Sequence, residues 1–171
     1  MYSVDEKDRV ILIEDIPQSS VGAPLPLVLI DEHITVVAFY LHAVADNWDG
    51  TSIRVVGKET AGEPLALVRF SFCCAAMFGP PNDEAFAGLP LAQRGLRPYG
   101  AFVIENSSWI RQLEQMNSVH PYHKPERFWA YKHYVLSFHD STFECVADSY
   151  TVELHRSSIS EILPRMWELL D

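Results

Sequence analysis

The chain has 171 residues, of which 48% are hydrophobic and 12% aromatic, and a formal net charge of −10. That length and composition suffice for one domain with a packed core and argue against disorder. No apolar run approaches the roughly 20 residues that cross a bilayer, and an acidic surface repels phosphate backbones, so neither a membrane nor a nucleic acid is an expected partner.

The N-terminal stretch MYSVDEKDRV is charged and has no apolar h-region, and three cysteines, two of them adjacent (Cys73, Cys74), make no disulfide framework. A reducing, cytoplasmic compartment is the expectation. Along the chain, Arg9–Asp15 is β-rich. Leu27–Ile30 and Ile34–His42 read as two strands turning over Asp31-Glu32-His33, and Ser52–Gly57 as a short strand. In LALVRFSFCCAAMF, Val68, Phe70, Phe72, Cys74 and Phe78 share one parity, and Arg69, Ser71 and Cys73 share the other. This alternation predicts a buried Cys74 and places Cys73 on the less apolar side.

Residues 79–100 hold four prolines and four glycines, too many for a regular element, with room for one helical turn at Asp83–Ala87. An irregular connection of this length is often functional when ordered. A strand over Ala101–Asn106 leads into a helix at about 107–118. Asn106 or Ser107 caps this helix, and Trp109, Ile110, Leu113 and Met116 form its apolar stripe. Two long strands follow. A last helix at about 158–170 opens with the capping box Ser158-x-x-Glu161, and Pro164 predicts a kink or a fresh helix start. The sum is a single α+β domain, 1–171: a largely antiparallel sheet of seven to nine strands with both helices packed on one face.

The segment KHYVLSFHDSTFECVAD (132–148) concentrates polar chemistry. Asp140-Ser141 between two β-rich runs predicts a hairpin with Phe138 opposite Phe143, which sets Ser137 against Glu144 and His133 against Asp148. One face then carries Tyr134, Leu136, Phe138, Phe143, Cys145 and Ala147 and is core. The other carries His133, Val135, Ser137, His139, Thr142, Glu144, Val146 and Asp148. The apolar parity reverses beyond Asp148, which predicts a bulge or sharp bend at Ala147–Ser149.

Two function classes remain. An enzyme of hydrolase type would draw its catalytic groups from His139, Asp140 and Glu144, and could be assisted by zinc or a similar divalent metal on His120, His123, His133 and His139. HxxH in a proline-containing loop is a weak ligand signal, and no Gly-x-Ser-x-Gly elbow is present. The helix start ENSSW could hold an anion with help from Arg94, Arg97 and Arg111, but an ordinary N-cap with Trp109 in the core is the favoured reading. A non-catalytic binding domain needs no such constellation. Trp48, Trp129 and Tyr131 lie near element ends or on doubly apolar strands, and Trp129 and Tyr131 with Arg94 and Arg97 are its binding candidates. This second class is the leading expectation, with no cofactor, and the net charge points to a basic protein partner. The hairpin edge also admits a homodimer.

Overall fold

A computed structural model describes residues 2–43 and 55–171. Trp48 and residues 52–54 of the Ser52–Gly57 stretch lie outside these described residues, and residues 55–57 belong to no strand. Among the described residues nine strands fall into two antiparallel sheets. They are β1 (Arg9–Leu12), β2 (Leu27–Ile30), β3 (Ile34–Tyr40), β4 (Glu63–Ser71), β5 (Ala75–Gly79), β6 (Ala101–Glu105), β7 (Lys132–Ser137), β8 (Thr142–Ala147) and β9 (Ser149–Ser157). The five-stranded sheet runs β1-β6-β7-β8-β5, and the four-stranded sheet runs β2-β3-β4-β9. The α+β class and the strand count agree with the sequence reading.

Period-2 burial explains how the sheets meet. Val37, Phe39, Ala66, Val68 and Phe70 on one sheet share a core with Tyr134, Leu136, Phe143, Cys145 and Ala147 on the other. The Phe70 ring lies 5.2 Å from Tyr134 and 5.6 Å from Phe143. The opposite parity is apolar too, so each sheet needs a second cover. Val36, Ala38, Tyr40, Leu65 and Leu67 are covered by Ile159, Ile162 and Met166. Phe102, Ile104 and Val135 are covered by Phe86, Leu91 and Leu96.

The helices therefore sit on different sheets and do not share one face. Helix α1 (Ser108–Asn117) sets Trp109 against His133 of the five-stranded sheet. Helix α2 (Leu163–Glu168) lies on the four-stranded sheet. The capping box forms: Ser158 N donates to Glu161 Oε2 at 3.0 Å, and Glu161 N donates to Ser158 Oγ at 3.1 Å. It closes a turn ahead of α2, and Pro164 sits in the first turn of the helix, where a missing N–H costs nothing.

Both sheets turn one corner on the same two chain segments. β4 passes into β5 and β8 into β9, with Cys74 N bonded to Val146 O at 2.9 Å and Asp148 N to Ser71 O at 3.0 Å. The bend predicted at Ala147–Ser149 is thus present at Asp148. The matching bend on β4–β5 was not foreseen. Phe72 adopts φ 52°, a costly value for a bulky residue. The parity of the chain flips there. Cys73 turns inward, Cys74 is exposed, and Phe72 is 65% exposed, the reverse of the predicted assignment for all three.

The hairpin register also moves. Leu136 faces Phe143, Val135 faces Glu144 and His133 faces Val146, so the loop holds four residues, Phe138–Ser141, closed by Phe138 N to Ser141 O at 2.9 Å. The shift is two residues on one strand, an even number, so every side chain keeps its predicted face. Residues 79–100 are ordered. They form two short 3₁₀ turns, at Phe86–Gly88 and Pro90–Arg94, that lid the five-stranded sheet.

Candidate functional site

The outer face of the five-stranded sheet carries the polar chemistry. Strand alternation puts His133 and Glu144 on that face, diagonal to one another across β7 and β8. His133 Nε2 is 3.0 Å from Glu144 Oε2, and His133 Nδ1 is 2.9 Å from Ser107 Oγ. Tyr2 donates its hydroxyl to the same Glu144 oxygen at 2.6 Å. Tyr2 and Trp109 stack at 5.2 Å and both stand nearly perpendicular to the imidazole, which has no accessible surface. Burial and the Glu144 charge together push the Tyr2 phenol far above its ordinary range.

Ser107, His133 and Glu144 stand in the order of a nucleophile relay. Two features oppose that use. Ser107 Oγ also accepts Ile110 N at 3.3 Å as the N-cap of α1, and the enclosed ring leaves no room for a reacting group beside its nitrogens. The anion site suggested at this helix start is already filled: Asp8, itself buried, accepts Ser108 N at 2.6 Å and Asp5 N at 2.8 Å. The capping expectation for Ser107 holds.

The candidate catalytic set is divided. Glu144 bonds His133 and Tyr2, whereas His139 belongs to a second cluster at the hairpin loop. His139 Nδ1 is 3.1 Å from Asp83 Oδ2 and 3.0 Å from the Tyr99 hydroxyl, and Tyr99 also donates a short hydrogen bond to Asp83. Asp140 is exposed, with Oδ1 3.8 Å from His139 Nε2. Tyr99 holds φ 60°, a left-handed value for an aromatic residue, which aims the phenol at the loop. Its bond to Asp83 keeps that carboxyl below its usual range, and partial desolvation works against this. Desolvation and the Asp83 charge raise the Tyr99 phenol to about 12.

The four histidines suggested as metal ligands occupy three separate environments. His120 accepts Tyr122 N at 3.1 Å. His123 contacts Asn117 and Glu114 at 3.0 and 2.6 Å beyond the end of α1. His133 and His139 lie in the two clusters above. Among the described residues no group of three or more His, Cys, Asp or Glu side chains could hold a metal ion.

The binding candidates also separate. Trp129 and Tyr131 line a cleft of about 660 Å³ beside α1, together with Phe128, Lys7, Arg111 and Lys132. Trp129 is 77% exposed. Arg111 is paired with Asp5, but no described residue forms an ion pair with Lys7 or Lys132. Arg94 lies elsewhere, donating to the carbonyls of Glu6 and Asp8 at 3.2 and 3.5 Å. Arg97 is exposed and offers its carbonyl to Ser137 Oγ at 2.8 Å. Neither arginine lines the cleft. Sequence reasoning overlooked Tyr2, Asp8, Asp83 and Tyr99, each of which lies far along the chain from the group it serves. No protein-family model, curated protein or solved structure matches this chain.

Proposed function

We propose that this chain is a non-catalytic binding domain that engages a protein partner through the cleft between α1 and the segment 128–132. The carrying observation is Trp129, exposed at 77% on the lip of a concave surface whose lysines form no ion pair with any described residue. An exposed tryptophan beside cations is the composition of an interface anchor, where large aromatic area and unspent charge combine. The whole-chain charge of −10 favours a basic partner at long range. Screening weakens that preference beyond roughly 8 Å at physiological salt. Within the cleft Lys7, Arg111 and Lys132 outnumber Glu105, itself paired with Arg9 at 3.5 Å, so the segment that enters is acidic or aromatic.

Selection from a displayed random-peptide library on the intact chain tests this reading. Acid-rich or aromatic peptides should be enriched, and they should lose binding to Trp129→Ala and Lys132→Glu chains whose circular dichroism is unchanged. Enrichment of peptides indifferent to both substitutions would move the interface elsewhere.

A further inference from the structure

A second cavity, of about 270 Å³, opens on the other side of the His133 network. It lies between β5–β8 and the proline-rich lid, and Met77, Pro80, Pro81, Leu89 and Leu91 form apolar walls. Among the described residues Glu144 is the one carboxylate that lines it, and no lysine, arginine or histidine does so. The carboxylate is fixed. Its Oε2 takes both the Tyr2 hydroxyl and His133 Nε2, and no described residue donates to Oε1. The side chain retains 11% exposure, so the second oxygen is not sealed off.

One chain of hydrogen bonds backs the carboxylate: Ile110 N donates to Ser107 Oγ, Ser107 Oγ lies 2.9 Å from His133 Nδ1, and His133 Nε2 lies 3.0 Å from Glu144 Oε2. No described lysine or arginine lines the cavity beside the carboxylate, and an enclosed carboxylate among apolar walls is stabilised by a counter-charge brought from outside. We propose that this cavity is a binding site for a small organic ammonium ion with an apolar body, its N–H donated to Glu144 Oε1 and its hydrocarbon seated against Leu89, Leu91 and the prolines. Anionic ligands are rejected by the same carboxylate. The network of Tyr2 and His133 serves as the support that holds the carboxylate in one orientation. The site is separate from the Trp129 cleft, and Trp129→Ala should leave it intact.

The probe is 4-phenylbutylamine, protonated at pH 7, compared with the neutral alcohol of the same shape, 4-phenylbutan-1-ol. Binding is followed by amide chemical-shift titration of the intact chain. The amine should bind roughly tenfold more tightly than the alcohol, the scale of one charge-assisted hydrogen bond, with shifts centred on Met77, Leu89 and Thr142. Glu144→Gln should reduce the amine to the level of the alcohol, and Leu89→Trp, which fills the cavity and spares the carboxylate, should abolish both. Equal affinities for amine and alcohol, no binding of either at millimolar concentration, or amine binding that survives Glu144→Gln would each overturn the proposal. Should Glu144→Gln fail to fold, the amine-to-alcohol ratio in the unaltered chain and its loss in Leu89→Trp decide the matter.

Discussion

Glu144 Oε2 lies 3.0 Å from His133 Nε2, the two residues being diagonal neighbours on β7 and β8 with no water-accessible surface on the ring. The pair joins two spaces, because Ser107 at one end of the network lines the cleft and Glu144 at the other lines the cavity. Removing the ring takes a hydrogen-bond partner from both Ser107 Oγ and Glu144 Oε2. His133→Phe should therefore cost about 2–4 kcal/mol, the range for breaking a buried charge-assisted network. Ser107→Ala should cost about 1 kcal/mol, mostly as a lost cap. Urea unfolding of both variants and the double variant measures this. A value for His133→Phe below that for Ser107→Ala would show that Glu144 and Tyr2 are satisfied without the imidazole.

The second cluster sets a pH dependence. The Tyr99 hydroxyl, and after it His139, hold the Asp83 carboxyl below its ordinary value. A carboxyl with a depressed folded-state pKa contributes stability that is fully present above its unfolded value of about 3.9 and is lost as pH falls through the folded value. The stability difference between the native chain and Asp83→Asn should thus be flat near neutrality and shrink below about pH 4. In Tyr99→Phe the carbon-13 titration midpoint of Asp83 should rise. An unmoved midpoint would assign the depression to His139 alone.

Gly100 sits where no side chain fits. A Cβ there would lie 2.8 Å from Cε2 and Cζ of Phe102. The backbone cannot retreat, since Gly100 N donates to Ser137 Oγ at 3.0 Å and Gly100 O accepts Ser137 N at 2.9 Å. Gly100→Ala should destabilise by about 1–3 kcal/mol, the usual cost of overpacking. Adding Phe102→Leu should return part of that loss in the same denaturation experiment, and a larger loss in the double variant would locate the strain in the backbone.

The faces of the 132–148 hairpin were legible because side-chain parity survives an even register error; the loop length was not, since Asp140-Ser141 alone does not distinguish a two-residue from a four-residue loop. Parity failed at Phe72 for the complementary reason. A left-handed residue flips the chain without leaving a glycine to announce it. The division of strands into two sheets, and hence of helices onto two faces, depends on that same corner. The site was legible only in fragments: the sequence exposes His133 and Glu144 as one-faced neighbours, but Tyr2 reaches Glu144 across 142 positions and Tyr99 reaches His139 across 40. Contacts of that range carry no local pattern.

The inversion at Phe72 places two unlike thiols side by side. Cys73, turned inward with its Sγ 3.4 Å from Ala75 O, is lowered to about 7, chiefly by its side-chain interaction with Cys145, with burial opposing. Cys145 keeps its own proton well above the ordinary range through burial, and desolvation with the Cys73 charge takes Cys74 to about 11. The exposed cysteine is therefore the less ionised one, and exposure alone would misassign the reactive thiol. A titration of thiolate absorbance at 240 nm should show one step near pH 7 that is absent in Cys73→Ser and moves upward in Cys145→Ala. The sign for stability follows that of a carboxyl. The Cys73 contribution is complete above the unfolded thiol value of about 8.5 and is lost as pH falls through the folded value. The native chain should thus gain on Cys73→Ser between those limits as pH rises. A native chain with no absorbance step below pH 8 would show that Cys73 remains a thiol, donating to Ala75 O.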